Sequence, residues 1–286
     1  MRALNQPESW WGWHGYNHPE AMSITQILRA RTLPVRVVAI LWLAMERGAS
    51  LILAADPPGA GKTTILTALL AFVRPDAAVY FTRGWGETFA LPNRAPDDPP
   101  VYMLVNEISD HLPVYSWGPY VQRAFELIDD GYSLASTVHA ETVEGVIEQL
   151  VDECDVPVEH IGRVAFVVPM FVGVNGGQRV RRVSEVAVLE PLGDGYDRHS
   201  VARWNRDDDS YAVLTTPAEI NAVARRLGME DEELIAEIHR REQFIESLLA
   251  EGVMRIDDVQ SRVLRFMGYE VVEEDLDEIE EPLDDQ

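Results

Sequence analysis

The chain has 286 residues, of which 47% are hydrophobic, and a formal net charge of −24 at pH 7. This length and apolar content suffice for one large domain, or for one medium domain with an appendage. The charge argues against a nucleic-acid-binding surface, which needs clustered basic residues. The single cysteine, Cys154, excludes an intramolecular disulfide and a cysteine-rich zinc site.

The first 22 residues are predicted to form an aromatic tail that docks on a partner or folds back on the core. They include Trp10, Trp11, Trp13, His14, Tyr16 and His18. The N-terminus is polar, unlike a signal peptide, and the longest apolar stretch (residues 37–45) is about half as long as a membrane-spanning helix. We therefore expect a cytoplasmic protein that meets the inner face of a membrane only through partners.

From Ser23 onwards the pattern is that of an α/β domain, beginning with two helices within residues 23–48. Strands and helices then alternate, which predicts a mostly parallel sheet flanked by helices. An Asn-Gly turn at 175–177 predicts a β-hairpin between apolar runs at 164–174 and 183–189. The predicted strands are 50–55, 78–82, 101–106 and 133–138, and the predicted helices are 63–73, 117–130 and 143–152.

Residues 217–268 carry three further helix patterns, which are interrupted at Gly228 and Gly252. Ten acids lie between Glu270 and the C-terminus, so the rest of the chain carries a net charge of about −14. Such an acidic run predicts a solvated, disordered tail. The predicted organisation is an aromatic tail (1–22), an α/β domain (23–206), a C-terminal helical extension (207–268) and an acidic tail (269–286).

Lys62 is the only lysine, whereas the other basic residues are 23 arginines. It lies in a segment that matches the phosphate-loop pattern G-x-x-x-x-G-K-[ST], except that Asp56 takes the first position. A strand before the loop and a helix after it provide the context that the pattern requires. The alternative is a Gly-Pro turn with a chance lysine. The predicted nucleotide-binding residues are Gly59, Ala60, Gly61, Lys62, Thr63 and Thr64.

A compact lysine ammonium fits beside the β- and γ-phosphates of a nucleotide, where the broad guanidinium of an arginine does not. The N-terminus of the following helix adds its dipole to the phosphate site. The hydroxyl of Thr63 is predicted to bind Mg²⁺. The predicted cofactors are therefore ATP and Mg²⁺, in an α/β fold of the P-loop NTPase (RecA-like) class.

Two later strands end in residues that suit this chemistry. Glu107 ends an apolar run, where a carboxylate holds Mg²⁺ through water or polarises the attacking water; the alternative is an acid that only caps a strand. His139 follows the strand at 133–138, where it can donate to the γ-phosphate; the alternative is a structural histidine.

These segments resemble the Walker A, Walker B and His boxes of the ATPases of type II and type IV secretion systems and type IV pili. The C-terminal helices resemble those of the archaeal and Tad-pilus branch, and the whole resemblance covers residues 23–268. It implies ATP hydrolysis with Mg²⁺, a hexameric ring, and work on a membrane platform protein. The matching segments are Gly59–Thr64, 105–110 (V-N-E-I-S-D), 130–132 (D-G-Y) and 136–140 (S-T-V-H-A).

The chain departs from this family in the features that support ATP hydrolysis. Only 22 residues precede Ser23, so we expect the separate N-terminal domain that the family carries to be missing, and the resemblance is to the C-terminal ATPase domain. Arg83 and Gly84 stand where the family has a pair of acids, and Glu87 is the nearby acid that could substitute in catalysis. The arginine-bearing helix before the Walker B strand is also missing, while Asn106 and Ser109 replace a glycine and an arginine.

Three interpretations follow. The first is an ATPase subunit of a secretion or pilus-like machine, with Glu107, His139 and Glu87 as catalytic residues. The second is a nucleotide-binding regulatory or structural paralogue with little or no hydrolysis, because the departures affect hydrolysis more than the phosphate cradle. The third is another P-loop enzyme, such as a kinase.

Overall fold

The computed structural model describes residues 1–5, 21–95 and 97–270. The tryptophans and histidines of the predicted N-terminal tail, and the acidic segment after residue 270, lie outside these ranges. None of the helices in the described ranges is both long and apolar enough to cross a bilayer.

A single large sheet runs through the described part of the chain. Its strand order is β1-β3-β4-β5-β2-β6-β8-β9-β10, with β7 paired to β6 alone. The strands from β1 to β6 pair in parallel, which confirms the predicted α/β class with a mostly parallel sheet. The strands are β1 Arg2–Ala3, β2 Leu51–Ala54, β3 Ala78–Phe81, β4 Val101–Ile108, β5 Ser133–Val138, β6 Phe166–Asn175, β7 Gln178–Val183, β8 Glu185–Leu192, β9 Gly195–Asn205 and β10 Ser210–Val213.

Alternate residues of each central strand point to opposite faces of the sheet. Both faces are therefore apolar, and helices cover each of them. Leu51 and Leu53 of β2 enter one core, whereas Ile52 and Ala54 enter the other. The helices are α1 Ile24–Arg29, α2 Val35–Glu46, α3 Lys62–Leu69, α4 Pro119–Asp129, α5 Val143–Glu148, α6 Val158–Ile161, α7 Pro217–Leu227, α8 Asp231–Glu251 and α9 Ile256–Phe266.

The three C-terminal helices complete the core on the face that carries α1, α2 and α3. Trp42 of α2 stacks on Phe72 at a centroid distance of 4.6 Å, and it meets Phe244 of α8 edge-on at 5.7 Å. The hydroxyl of Ser23, the N-cap of α1, donates to the carbonyl of Met254 at 2.6 Å. The helical extension therefore packs as part of the core and holds the start of α1.

The hairpin is confirmed, but its second strand differs from the predicted one. Gly176 and Gly177 form the turn with φ of 54° and 80°, which suits a two-residue connection. The returning strand is β7, paired from Asn175↔Gln178 to Met170↔Val183. The run predicted at 183–189 belongs instead to β8, which pairs with Phe166 and Val167 at the start of β6.

Two structural features lie outside the predicted elements. Strands β9 and β10 extend the sheet beyond β8 in antiparallel fashion, and β10 falls within the segment assigned to the helical extension. At the other edge, Arg2 and Ala3 pair in parallel with β3. Asn5 fixes this edge by donating to the carbonyl of Phe81 at 2.6 Å.

Candidate functional site

The segment from β2 to α3 has the strand–loop–helix geometry of a phosphate loop. Gly61 is the N-cap of α3 with φ 103°, and Gly59 has φ 71°. Both values lie in the left-handed region that glycine adopts without a Cβ clash. The amide of Ile65 donates to the carbonyl of Gly61 at 3.0 Å, so the helix begins directly at the loop. Backbone amides at such a terminus attract anions.

Lys62 is the first residue of α3 and is buried, with 6% of its surface exposed. Its ammonium donates to the carbonyl of Ala55 at 2.9 Å and lies 3.4 Å from both ring nitrogens of His139. Burial lowers the pKa of Lys62, and the negative charges of Glu107 and Asp56 partly oppose that shift. The ammonium is therefore held at the base of the loop, close to Glu107 and His139.

Glu107 reaches this position through an irregularity in β4. The register with β5 shifts between Val105↔Ser136 and Ile108↔Val138, so Asn106 and Glu107 together oppose Thr137. Bulges of this kind bend a strand and re-aim a side chain, often beside active sites. The hydroxyl of Thr137 donates to the carbonyl of Asn106 at 2.9 Å, which fixes the bulge.

His139 links the carboxyl ends of three strands. Its Nδ1–H donates to the carbonyl of Asp56, after β2, at 2.6 Å, and its Nε2 lies 3.2 Å from the carboxylate of Glu107 on β4. The ring itself follows β5, which lies between β2 and β4 in the sheet. The structure thus brings together Lys62, Glu107 and His139, as the sequence predicts for a nucleotide site.

Glu87, the third residue predicted to be catalytic, occupies a different setting. Its buried carboxylate accepts hydrogen bonds from the Tyr80 hydroxyl at 2.7 Å and from the backbone amides of Arg83, Thr88 and Phe89 at 2.9, 2.7 and 2.6 Å. These four donors all come from β3 and its following loop. Its hydrogen bonds therefore hold that loop, and none of them reaches Lys62, Glu107 or His139.

Gly84 has no room for an acidic side chain. Its φ is 57°, and a Cβ there would lie 2.1 Å from the carbonyl oxygen of Pro113 and 2.5 Å from the carbonyl carbon of Val114. The amide of Trp85 donates to the same Pro113 oxygen at 2.9 Å. The loop after β3 thus packs directly on the loop after Glu107, which explains why one of the two expected acids is a glycine.

Three residues near the site were not among the predicted ones. The imidazole of His111 meets that of His139 at a centroid distance of 6.1 Å. Burial raises the pKa of Tyr115, and the charge of Glu107 raises it further. Arg181 of β7 places a guanidinium nitrogen 3.5 Å from the carbonyl of Gly59. All three come from segments distant in sequence from the loop, so no local pattern marks them.

The donor set at this edge of the sheet fits a nucleotide with Mg²⁺. The glycine loop and Lys62 offer amides and an ammonium for phosphate oxygens. Thr63, half-buried in the first turn of α3, and Glu107 offer the hard oxygen ligands that Mg²⁺ prefers. His139 holds a proton on Nδ1 against Asp56, while its Nε2 faces Glu107. The residues can therefore bind phosphate, hold a metal and orient a water.

No protein-family model matches the chain. Uncharacterized protein MJ1287 of Methanocaldococcus jannaschii (strain ATCC 43067 / DSM 2661 / JAL-1 / JCM 10045 / NBRC 100440) is 24% identical over 253 residues, which cover 78% of this chain and 90% of that protein. Uncharacterized protein MJ0900 of the same strain is 24% identical over 281 residues, with 87% of this chain covered. The match covers 49% of MJ0900, so the chain spans about half of its length.

Among solved structures, the Legionella pneumophila ATPase DotB superposes with a TM-score of 0.39 and 10% sequence identity. The superposition covers 88% of this chain and 63% of that one. The function of the chain is therefore inferred from the site itself.

Proposed function

We propose that the chain is an ATP-binding subunit of a secretion or type IV pilus-like assembly machine, and that it hydrolyses ATP with Mg²⁺. The observation that carries the proposal is the convergence of Lys62, Glu107 and His139 at the carboxyl edge of the parallel strands. Ligands of open α/β sheets bind at this edge. The resemblance of the Walker and His boxes to the secretion and pilus ATPases supports the choice of machine.

In this proposal the amides of residues 59–64 and the Lys62 ammonium hold the phosphates. Thr63 and Glu107, the latter through water, would hold Mg²⁺, which would supply positive charge for the phosphate oxygens. His139, fixed by Asp56, holds its Nε2 3.2 Å from the Glu107 carboxylate, so that the two side chains together would orient an attacking water. Work on a membrane platform protein and assembly into a hexameric ring are further parts of the proposal.

A second candidate is a subunit that binds ATP and hydrolyses it slowly or not at all. The setting of Glu87 favours it, because a carboxylate that already accepts four hydrogen bonds is poorly placed to act as a base. Gly84 favours it as well, since the packing against Pro113 leaves no space for an acid at that position.

ATP binding and steady-state phosphate release by the purified chain separate the two candidates. We expect Lys62→Ala to weaken ATP binding by about 100-fold or more, and Glu107→Gln to retain binding while phosphate release falls by about 100-fold or more. Glu159→Gln, an exposed acid elsewhere, is the matched control and leaves both unchanged. Phosphate release no higher than that of Lys62→Ala, with ATP still bound, would favour the second candidate. Failure of the wild type to bind ATP would refute both.

The ring is tested by the mass of the particle in solution. We expect a species of about six chains when ATP and Mg²⁺ are present, and a smaller species for Lys62→Ala under the same conditions. A monomer at every nucleotide concentration would contradict the proposed ring, without bearing on ATP binding.

A further inference from the structure

A cavity of about 670 Å³ lies between the turn after α1 and the hairpin of β6 and β7. Its charged lining is unusual for this chain, whose net charge is −24. Five arginines and one aspartate line the cavity. These residues are Arg29, Arg31, Arg179, Arg181, Arg182 and Asp209.

Only one of the five arginines is neutralised by a carboxylate of the described residues. Arg182 donates from Nε and Nη2 to both oxygens of Asp209, at 2.8 Å each. These bonds hold the pKa of Asp209 at about 2, and the charge of Arg31 adds to the effect. The other four arginines have no carboxylate within 4.0 Å among the described residues, although such partners are common elsewhere, as for Arg198 with Glu185.

The backbone that frames the cavity is tied together, whereas the side chains of its four unpaired arginines are exposed. Arg31 holds a left-handed φ of 55°, an uncommon conformation for a residue with a side chain. The carbonyl of Thr32 next to it accepts from the amide of Val183 at 2.7 Å and from the hydroxyl of Tyr211 at 3.1 Å. The turn after α1 is thereby tied to β7 and β10. A backbone preorganised in this way loses little entropy on binding.

Arg181 connects the cavity with the phosphate loop. Its guanidinium lies 3.5 Å from the carbonyl of Gly59, and its Cδ would lie 3.9 Å from a Cβ at Gly61. The two sites are thus neighbours that share one wall.

We propose that this cavity binds a small phosphate-bearing molecule at a second site, beside the phosphate loop and separate from it. Four guanidinium groups that lack a carboxylate partner call for an anion of several charges, and planar guanidinium groups match phosphate oxygens in pairs. The volume is that of a small-molecule pocket. The second site goes beyond the proposed ATP function, because among the described residues Arg29, Arg31 and Arg179 make no hydrogen bond or ion pair with the loop, and of the cavity arginines only Arg181 borders both sites.

Calorimetric binding of inorganic pyrophosphate to the full chain tests this site. The two variants are Lys62→Ala, which disables the loop, and the double variant Arg29→Ser/Arg179→Ser, which changes two cavity arginines other than Arg181. We expect Lys62→Ala to keep one pyrophosphate site. When the double variant is combined with Lys62→Ala, the affinity of that site for pyrophosphate should fall by at least about tenfold. Arg203→Ser on that background, a change at an exposed arginine of β9, is the control and keeps the site. Thermal melting checks that each variant is folded.

The results of this experiment distinguish the cavity site from the proposed nucleotide site. If the double variant in an otherwise wild-type chain still binds ATP while the cavity site is lost, the second site stands. Loss of all pyrophosphate binding in Lys62→Ala would overturn it, as would binding that the arginine changes leave intact. Loss of ATP binding in the double variant would also overturn it, because the cavity would then be part of the nucleotide site. Failure of the wild type to bind ATP would refute the proposed function and leave the pyrophosphate result to decide the second site.

Discussion

At the scale of single residues, Gly84 is the described glycine at which an added Cβ would lie nearest to other atoms. We expect Gly84→Ala to lower the free energy of unfolding by about 2 kcal/mol or more, because the new Cβ would meet the backbone of Pro113 and Val114 and the φ is left-handed. Gly86 lies in the same short turn, and a Cβ added there would have no neighbour within 4 Å. Gly86→Ala is therefore the control, and its change should stay within about 0.5 kcal/mol. Urea unfolding measures both, and equal losses would contradict the packing argument.

We expect Lys62 to make the proposed ATP binding dependent on pH, in a range below that of an ordinary lysine. Burial lowers the pKa of Lys62 in the free protein, whereas bound phosphates favour the charged form and raise it. ATP affinity should therefore fall as pH rises through the lowered value, by up to about tenfold per pH unit. Titrations between about pH 8 and pH 10 measure this slope. The pKa of Tyr115 is raised, so that phenol stays neutral over most of the range.

The matched variant for this effect is Lys62→Met, which keeps an apolar stem and removes the charge. Its weaker affinity should show no such slope over the same range of pH. A slope that persists in Lys62→Met would assign the pH dependence to another group.

At the scale of elements, a buried arginine joins helix α8 to helix α2. Arg241, with 3% of its side chain exposed, donates to Glu46 at 2.6 Å and also pairs with Glu237. Its guanidinium also lies 5.2 Å from the ring centre of Trp42. We expect Arg241→Ala to destabilise the fold by about 3 kcal/mol, since a buried cation and its packing are lost together.

Two comparisons separate these contributions in denaturant unfolding. Arg241→Met keeps the apolar stem over Trp42 and should recover part of the loss. Arg262→Ala removes an exposed pair with Glu251 at 3.0 Å and should cost less than about 1 kcal/mol. If Arg262→Ala lowered the free energy of unfolding as much as Arg241→Ala does, burial would not determine how much each arginine stabilises the fold.

The sequence predicts those elements whose residue pattern lies within a short stretch of the chain. The phosphate loop follows from consecutive residues, because the strand, the glycines and the helix start are adjacent in the chain. Strands β9 and β10 have no such signal: their exposed faces carry polar and charged residues, and Arg198 and His199 interrupt the apolar alternation. The pairing of β9 with β8, and of β10 with β9, is what makes them strands.

Within the candidate site, the sequence indicates which residues take part but not how they are oriented. The side chain of Glu107 is aimed at the phosphate loop by a bulge, which depends on the register of β4 with β5. The carboxylate of Glu87 accepts hydrogen bonds from backbone amides of its own loop. The arginine cavity joins residues 29–31 with residues 179–182, which no spacing rule connects. Such contacts are set by the tertiary fold.

At the scale of the whole molecule, the two cores share the same strands. Tyr102 and Leu104 of β4 enter the core that contains the C-terminal helices, whereas Met103 and Val105 enter the core that contains Cys154. Loss of either core would uncover one face of β4. We therefore expect the described domain to unfold in a single transition on both faces of the sheet.

Cys154 makes that transition measurable, because it is the only cysteine. Burial raises the pKa of its thiol from 9.0 to about 11, which reduces the thiolate fraction near neutral pH by about 100-fold and slows labelling in the folded state. The ellipticity at a helix wavelength reports chiefly the opposite face, where the long helices α2 and α8 lie. In a urea titration, the midpoints for Cys154 labelling and for ellipticity should coincide. Labelling that is complete at a lower urea concentration, while the ellipticity is still native, would show that the face carrying Cys154 opens independently of the face carrying the C-terminal helices.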